Sequence, residues 1–197
     1  MLKPGTLIDW KWQETMEGKE AFSSFFYHRA GGGGGGHPSS SIIPSFPFQK
    51  RRVFGLLERP LLPPSINAQE VKYKICVVGK TGVGKSATVA NLCGLPIPTS
   101  HADTPGLRVN TTYWLTRLKH TQNVLLFQLQ FWEAGESSAK RFDHVLPACQ
   151  EKSDAILFLF SHVNKASFTD LPQLVSDEVQ GNFPVYCNLL TIYNISQ

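Results

Sequence analysis

One eight-residue segment constrains this chain more than any other: Gly79-Lys80-Thr81-Gly82-Val83-Gly84-Lys85-Ser86, which fits the pattern G-x-x-x-x-G-K-[ST]. Tyr73 to Val78 before it reads as a buried strand, and Ser86 to Cys93 after it as a short helix stopped by Gly94 and Pro96. The chemistry needs this order. A glycine-rich loop lets backbone N–H groups close around phosphate oxygens, and the N-terminus of the following helix adds partial positive charge there. Lys85 is then placed to reach the outer phosphates, Ser86 to ligate Mg²⁺, and Ala87 to offer its N–H from the first turn. The glycine run Gly31 to Gly36 is no second phosphate loop, because no Lys-Ser or Lys-Thr follows it.

Composition narrows the partners. Lys and Arg number 19 against 15 Asp and Glu, a formal charge of +4. With no long basic stripe, nucleic acid is not expected as a ligand. The cysteines Cys76, Cys93, Cys149 and Cys187 are dispersed without a C-x-x-C pair, and read as buried thiols rather than a disulfide framework or zinc site. The start lacks a signal-type apolar core, and no run is long enough to span a membrane. A soluble, cytoplasmic, monomeric protein is expected.

Four regions follow from the composition shifts: an aromatic N-terminal extension (1–26), a Gly/Ser/Pro-rich linker (27–49), a basic and Pro-rich lead-in (50–71) and a folded domain (72–197). In the extension, Glu14 to Phe26 predicts a short amphipathic helix with Phe22, Phe25 and Phe26 on one face. The linker carries too little apolar surface to offset its ordering entropy, so disorder is expected there. Lys50-Arg51-Arg52 supplies about 1 kcal/mol per residue at an anionic membrane, which gives at most weak surface contact. Within the domain, Leu107 to Leu118 and Val124 to Trp132 alternate as the strands of an antiparallel hairpin. Ser138 to Lys152 predicts one helix, kinked or shortened by Pro147, with Phe142, Val145, Leu146 and Cys149 inward. Ala155 to Phe160 reads as a buried parallel strand. Ser167 to Gln180 reads as helix broken by Pro172, and Val185 to Tyr193 as a strand. The order predicts an α/β three-layer fold, mostly parallel with one antiparallel hairpin, and a ligand site at the carboxyl ends of the strands.

These elements resemble the Ras-like small GTPases. In that family a threonine nineteen residues after the loop lysine closes over Mg²⁺ and the γ-phosphate; here that residue is Thr104. A D-x-x-G element follows at the end of the third strand; here the segment is Trp132-Glu133-Ala134-Gly135-Glu136, with Gly135 in place to sense the γ-phosphate. The aspartate is missing, and the segment is similar to the W-E-x-G variant of the Rad/Rem/Gem/Kir branch, with Glu133 as an outer-shell Mg²⁺ partner. Glu136 stands where hydrolysing members carry a water-orienting glutamine. An ionised carboxylate donates no hydrogen bond, so slow hydrolysis is expected, with Glu136 the one catalytic candidate.

Residues 50–60, 79–86, 131–137, 142–144 and 155–161 together resemble the Rem- and Rab-like small GTPases. That resemblance implies a GTP- and GDP-binding switch with Mg²⁺, of the basal body and cilium assembly machinery. It implies work with the planar polarity effector complex (Fuzzy, Inturned and a WD-repeat partner) and in targeted vesicle exocytosis. Beyond Leu171 the likeness fades. No N/S-K-x-D element for reading guanine follows, so a C-terminally incomplete domain is expected and base preference stays open. Two alternatives remain beside the switch: a nucleotide-poor scaffold for the same partners, and a P-loop kinase or ATPase. His101, His120 and His144 read as loop histidines, and Asp103 as a turn residue.

Overall fold

The central strand β1, Ala68–Val78, is paired on both sides, and that placement organises everything around it. The computed structural model describes residues 7–23, 25, 54–55, 58–97 and 104–179. Its elements are α1 (Met16–Ser23, preceded by a 3-10 turn at Trp10–Glu14), β1, α2 (Lys85–Cys93), β2 (Leu107–Arg117), β3 (Val124–Ala134), α3 (Glu136–Arg141), α4 (Val145–Gln150), β4 (Ala155–Phe158), α5 (Lys165–Thr169) and α6 (Leu171–Val179). The four strands form one sheet in the order β2-β3-β1-β4. β1 runs parallel to β3 and β4, and β2 runs antiparallel to β3, as the alternating hairpin pattern predicts. The expected linker at 27–49, the basic cluster at 50–52 and the strand at Val185 to Tyr193 lie outside the described residues.

Successive side chains of a strand point to opposite faces, so β1 feeds two cores. Ile75 and Val77 pack with Val83, Val89 and Cys93 from the loop and α2, and with Phe131 and Leu159. Cys76 and Val78 pack on the other face with Cys149 of α4, Phe158, Phe160 and Leu171. β1 begins at Ala68, earlier than the apolar run from Tyr73, because its first residues pair in register with Val124 to Gln128 of β3. Ladder pairing extends a strand through half-exposed polar residues that an apolar pattern does not flag.

The break expected at Pro172 falls just before it, at Asp170 between α5 and α6, and Pro147 and Pro172 both lie in the first turn of a helix. Pro147 sits in the first turn of α4, and Pro172 is the second residue of α6. First-turn N–H groups have no intrahelical acceptor, so proline loses nothing there. The expected single helix over 138–152 is therefore two short ones, with the break at Phe142 to His144. Phe142 is exposed rather than inward, whereas Val145 and Cys149 are buried as expected. Helix α2 ends as its glycine signals: Gly94 adopts φ 69°. The Leu95 N–H bonds to the Ala90 carbonyl at 2.8 Å and the Gly94 N–H to that of Asn91 at 3.0 Å.

The N-terminal segment is part of this fold. Trp12, Ala21 and Phe25 pack with Phe54, Ile66, Tyr113, Leu115, Val124 and Leu126 on the sheet face away from α2. Phe22 joins them, as the predicted amphipathic face requires; Phe26 lies outside the described residues. The Asp9 N–H bonds to the Arg117 carbonyl at 2.8 Å, and Arg117 returns an ion pair to Asp9 at 2.7 Å. That guanidinium, through its hydrogen bond first, holds the Asp9 carboxyl below its usual range. Trp12 has 1% of its surface exposed and its Nε1–H bonds to Glu17 at 3.0 Å. Trp12→Ala is expected to destabilise the chain by about 3–5 kcal/mol, the usual cost of emptying a buried indole site. Urea unfolding checks this; a loss below about 1 kcal/mol would show that the segment is not cooperative with the sheet.

Candidate functional site

The loop leaves β1 at Gly79, where a side chain has no room: a Cβ would overlap the Leu159 carbonyl oxygen. The Leu159 N–H bonds to the Val78 carbonyl at 2.8 Å, so β4 holds the loop entrance. The chain then turns through Gly84, the residue before α2, at φ 93°, a left-handed conformation suited to glycine. Val83 is buried under the loop in the α2-side core and anchors it from below. Lys85 ties the two ends together, because its Nζ donates to the Gly79 carbonyl at 2.7 Å and to the Lys80 carbonyl at 3.1 Å. Lys80 points the other way and pairs with Asp170 at the α5–α6 junction. This pair, chiefly through the hydrogen bond from Lys80, holds the Asp170 carboxyl below its usual range. Thr81 and Gly82 form the exposed tip, and Ala87 lies half-buried in the first turn of α2.

Three oxygen-bearing side chains meet at the start of α2. Ser86 Oγ lies 3.2 Å from Thr104 Oγ1 and donates to Glu133 Oε2 at 3.0 Å. Thr104 arrives on the segment before β2, and Glu133 comes from the end of β3, opposite Val77 of β1. Glu133 has no exposed surface. Its second oxygen, Oε1, faces Arg108 of β2 at 3.6 Å and has no hydrogen bond among the described residues. Burial pushes the Glu133 carboxyl up, while the Ser86 hydroxyl and the charges of Arg108 and Lys85 pull it back. Gly135, the residue before α3, gives its N–H to the Gly106 carbonyl at 3.0 Å, and the Gly106 N–H goes to Ser138 Oγ at 2.7 Å. Glu136 opens α3, and its side chain lies outside the described residues, as do His101 and Asp103. His120 and His144 are exposed loop histidines.

The structure thus brings Ser86 and Thr104 together and leaves Gly135 one loop away. Glu133, expected from the resemblance as an outer-shell partner, accepts from the Ser86 hydroxyl, which is where an outer-shell group would stand. Its signal was present: a carboxylate on the inward face of an apolar strand, at the strand end nearest the loop. Hydroxyl and carboxylate oxygens are the donors a hard cation takes, so this set fits Mg²⁺. The orphaned Glu133 oxygen is a further mark of a charge-handling site. Among the described residues no group of three His, Cys, Asp or Glu forms a metal cluster of another kind.

No protein-family model matches the chain. The ciliogenesis and planar polarity effector 2 protein of Mus musculus is 44% identical over 168 residues, covering 85% of this chain and 57% of that protein. Its Homo sapiens counterpart is 41% identical over 169 residues, covering 86% and 58%. The chain is a relative of the ciliogenesis and planar polarity effector 2 proteins. It spans less than two thirds of the length of these curated relatives. A more distant likeness, 29% over 102 residues and covering 51% of this chain and 28% of the other, is to GTP-binding protein REM 2 of Homo sapiens. That likeness and the mixed four-stranded sheet with its helices fit a small GTPase fold. Among the described residues no helix is long and apolar enough to cross a membrane.

The raised Glu133 carboxyl has a thermodynamic consequence. A group whose folded pKa lies above its unfolded value adds stability below the unfolded pKa and loses it as pH rises through the folded one. Glu133→Gln removes that dependence while keeping an acceptor for Ser86. In the presence of chelator, the variant's stability relative to the parent chain is expected to climb from acid toward neutral pH. Urea midpoints across that range check it; a fall instead would show that the Arg108 and Ser86 contacts outweigh burial.

Proposed function

We propose that this chain is a GTP- and GDP-binding switch of the small GTPase type, built on a three-layer P-loop fold and slow in hydrolysis. The observation that carries the reading is the convergence of Ser86, Thr104 and Glu133 beside a loop that Lys85 holds closed. Loop backbone N–H groups and the start of α2 offer an anion cradle. Lys85, at its rim, is the cation that would exchange its bonds to Gly79 and Lys80 for phosphate oxygens. Ser86 and Thr104 would hold Mg²⁺, with Glu133 fixing the Ser86 hydroxyl from behind; when bound, the ion neutralises phosphate charge. Gly135 and Glu136 adjoin the segment carrying Thr104, and a carboxylate at 136 cannot donate a hydrogen bond to an attacking water. The names of the relatives support a role with the ciliogenesis and planar polarity machinery; the effector proteins Fuzzy, Inturned and their WD-repeat partner are part of the proposal. Targeted vesicle exocytosis and a basal-body location belong to the same proposal.

A second reading, a scaffold that binds partners whatever its nucleotide state, draws on one observation. Lys85 and Glu133 are both engaged inside the protein, so the loop holds its shape through its own contacts.

Equilibrium binding of fluorescent GTP with Mg²⁺, competed by GTP and by ATP, separates these readings. Lys85→Ala is expected to weaken binding roughly a hundredfold or more, since each charge-assisted hydrogen bond is worth about 1.5–3 kcal/mol. GTP-selective binding lost in the variant supports the switch. Partner capture unchanged by Lys85→Ala, with no nucleotide bound, supports the scaffold. ATP turnover would replace both with a P-loop kinase or ATPase.

A further inference from the structure

Two thiols outside the loop site lie closer together than packing alone requires. Cys76 of β1 and Cys149 of α4 have their sulfurs 3.2 Å apart. Neither residue has any exposed surface. The thiols form a directed chain: Cys76 donates to Cys149, and Cys149 donates to the Trp132 carbonyl at 3.2 Å. The two residues are 73 apart in sequence and come from different elements, so the contact is set by the tertiary fold. A disulfide bond is about 2.05 Å long, so closing it requires an approach of only about 1.1 Å.

We propose that Cys76 and Cys149 form a dithiol modification site that takes a small disulfide of the glutathione class as its oxidant. This does not depend on nucleotide binding. The two sulfurs differ in reach. Cys76 sits on the central strand, which is paired on both edges. Cys149 sits on a six-residue helix flanked by turns at both ends. Short helices open locally at lower cost than central strands, so Cys149 meets the oxidant first. Its thiolate attacks one sulfur of the small disulfide, that S–S bond breaks, and one small thiol departs carrying the proton from Cys149. The Cys76 thiolate then attacks the Cys149 sulfur, and the second small thiol departs with the proton from Cys76. The protein loses two hydrogens and gains one S–S bond, while one small disulfide becomes two thiols. Burial drives the second step, because a glutathionyl group does not fit where neither sulfur is exposed, and α4 can close only after expelling it.

The bond would tie α4 covalently to β1 and remove the thiol donor from the Trp132 carbonyl. Trp132 immediately precedes Glu133, so the modification site adjoins the strand end that holds the buried carboxylate.

The test uses the full chain with Cys93→Ala and Cys187→Ser, incubated in graded mixtures of reduced and oxidised glutathione, acid-quenched, unfolded and alkylated with iodoacetamide. The expected product is lighter by two hydrogens, takes up no iodoacetamide and yields one cross-linked peptide containing Cys76 and Cys149. Cys76→Ala is expected to trap one glutathione on Cys149, and Cys149→Ala to leave Cys76 unmodified. Peptide mapping of the parent chain reads the same cross-link should the double variant fail to fold. Two alkylated thiols at every glutathione ratio, or a stable glutathione adduct on Cys149 with Cys76 intact beside it, would overturn the proposal.

Discussion

Everything in this structure depends on β1 being held between two parallel neighbours. Its pairing with β3 places Glu133 opposite Val77, and its pairing with β4 brings Leu159 against the Val78 carbonyl. Those two ladders fix the point where the chain leaves the sheet. Gly79 then has to pass the Leu159 carbonyl with no space for a side chain, so the direction of the loop is set by backbone sterics before any charged group contributes. Lys85 and Ser86 inherit their positions from that exit and from the buried anchor Val83. A site built this way needs little help from surface loops to keep its shape, which suits chemistry resting on fixed N–H groups and hydroxyls.

The electrostatics follow from the same placement. A carboxylate with no exposed surface is costly unless paired, and Glu133 is only partly compensated. Ser86 satisfies one oxygen, while Arg108 lies 3.6 Å from the other and is itself about half exposed. A hydrophobic residue at 133 would pack at lower cost between β1 and α2. A buried carboxyl at that position is what the proposed Mg²⁺ site would call for, with Ser86 as its first contact.

Much of this was legible in the residues. The phosphate-loop pattern needs a strand before it and a helix after it, and both are present. The hairpin shows in the alternation of Phe127, Leu129 and Phe131 with Gln128 and Gln130. What escaped were features set by context. The early part of β1 is half-exposed and polar, so only pairing with β3 reveals it. The break read at Pro172 is present just before it, whereas the one read at Pro147 lies earlier, at Phe142 to His144, because Pro147 sits in a first turn where its missing N–H is not needed. Glu133 was legible as a carboxylate on an apolar strand, but its complete burial and its bond to Ser86 come from the register of β3 against β1. Trp12 and Phe25 were visible as an aromatic cluster, but nothing local says that they cover the sheet face opposite α2.

The segments on either side of the site are coupled to each other more tightly than their irregular conformation suggests. Gly106 accepts from the Gly135 N–H and donates to Ser138 Oγ, so the approach to β2 and the start of α3 are joined by two hydrogen bonds. Thr104 is two residues from the first of these anchors and touches Ser86 itself. Any movement that carries Thr104 away from Ser86 therefore strains the Gly106 bonds, and with them the start of α3. That helix has six residues, and α4 after it is equally short. α4 is held by Cys149 against Cys76 and by Lys74, whose Nζ accepts the load of its C-terminal end by donating to the Ala148 and Glu151 carbonyls. The Thr104–Gly106 and Gly135–Arg141 segments are thus joined to each other beside the sheet and α2. Two hydrogen bonds through one glycine therefore make the approach to β2 and the start of α3 a single unit, so that rearranging either segment disturbs the other.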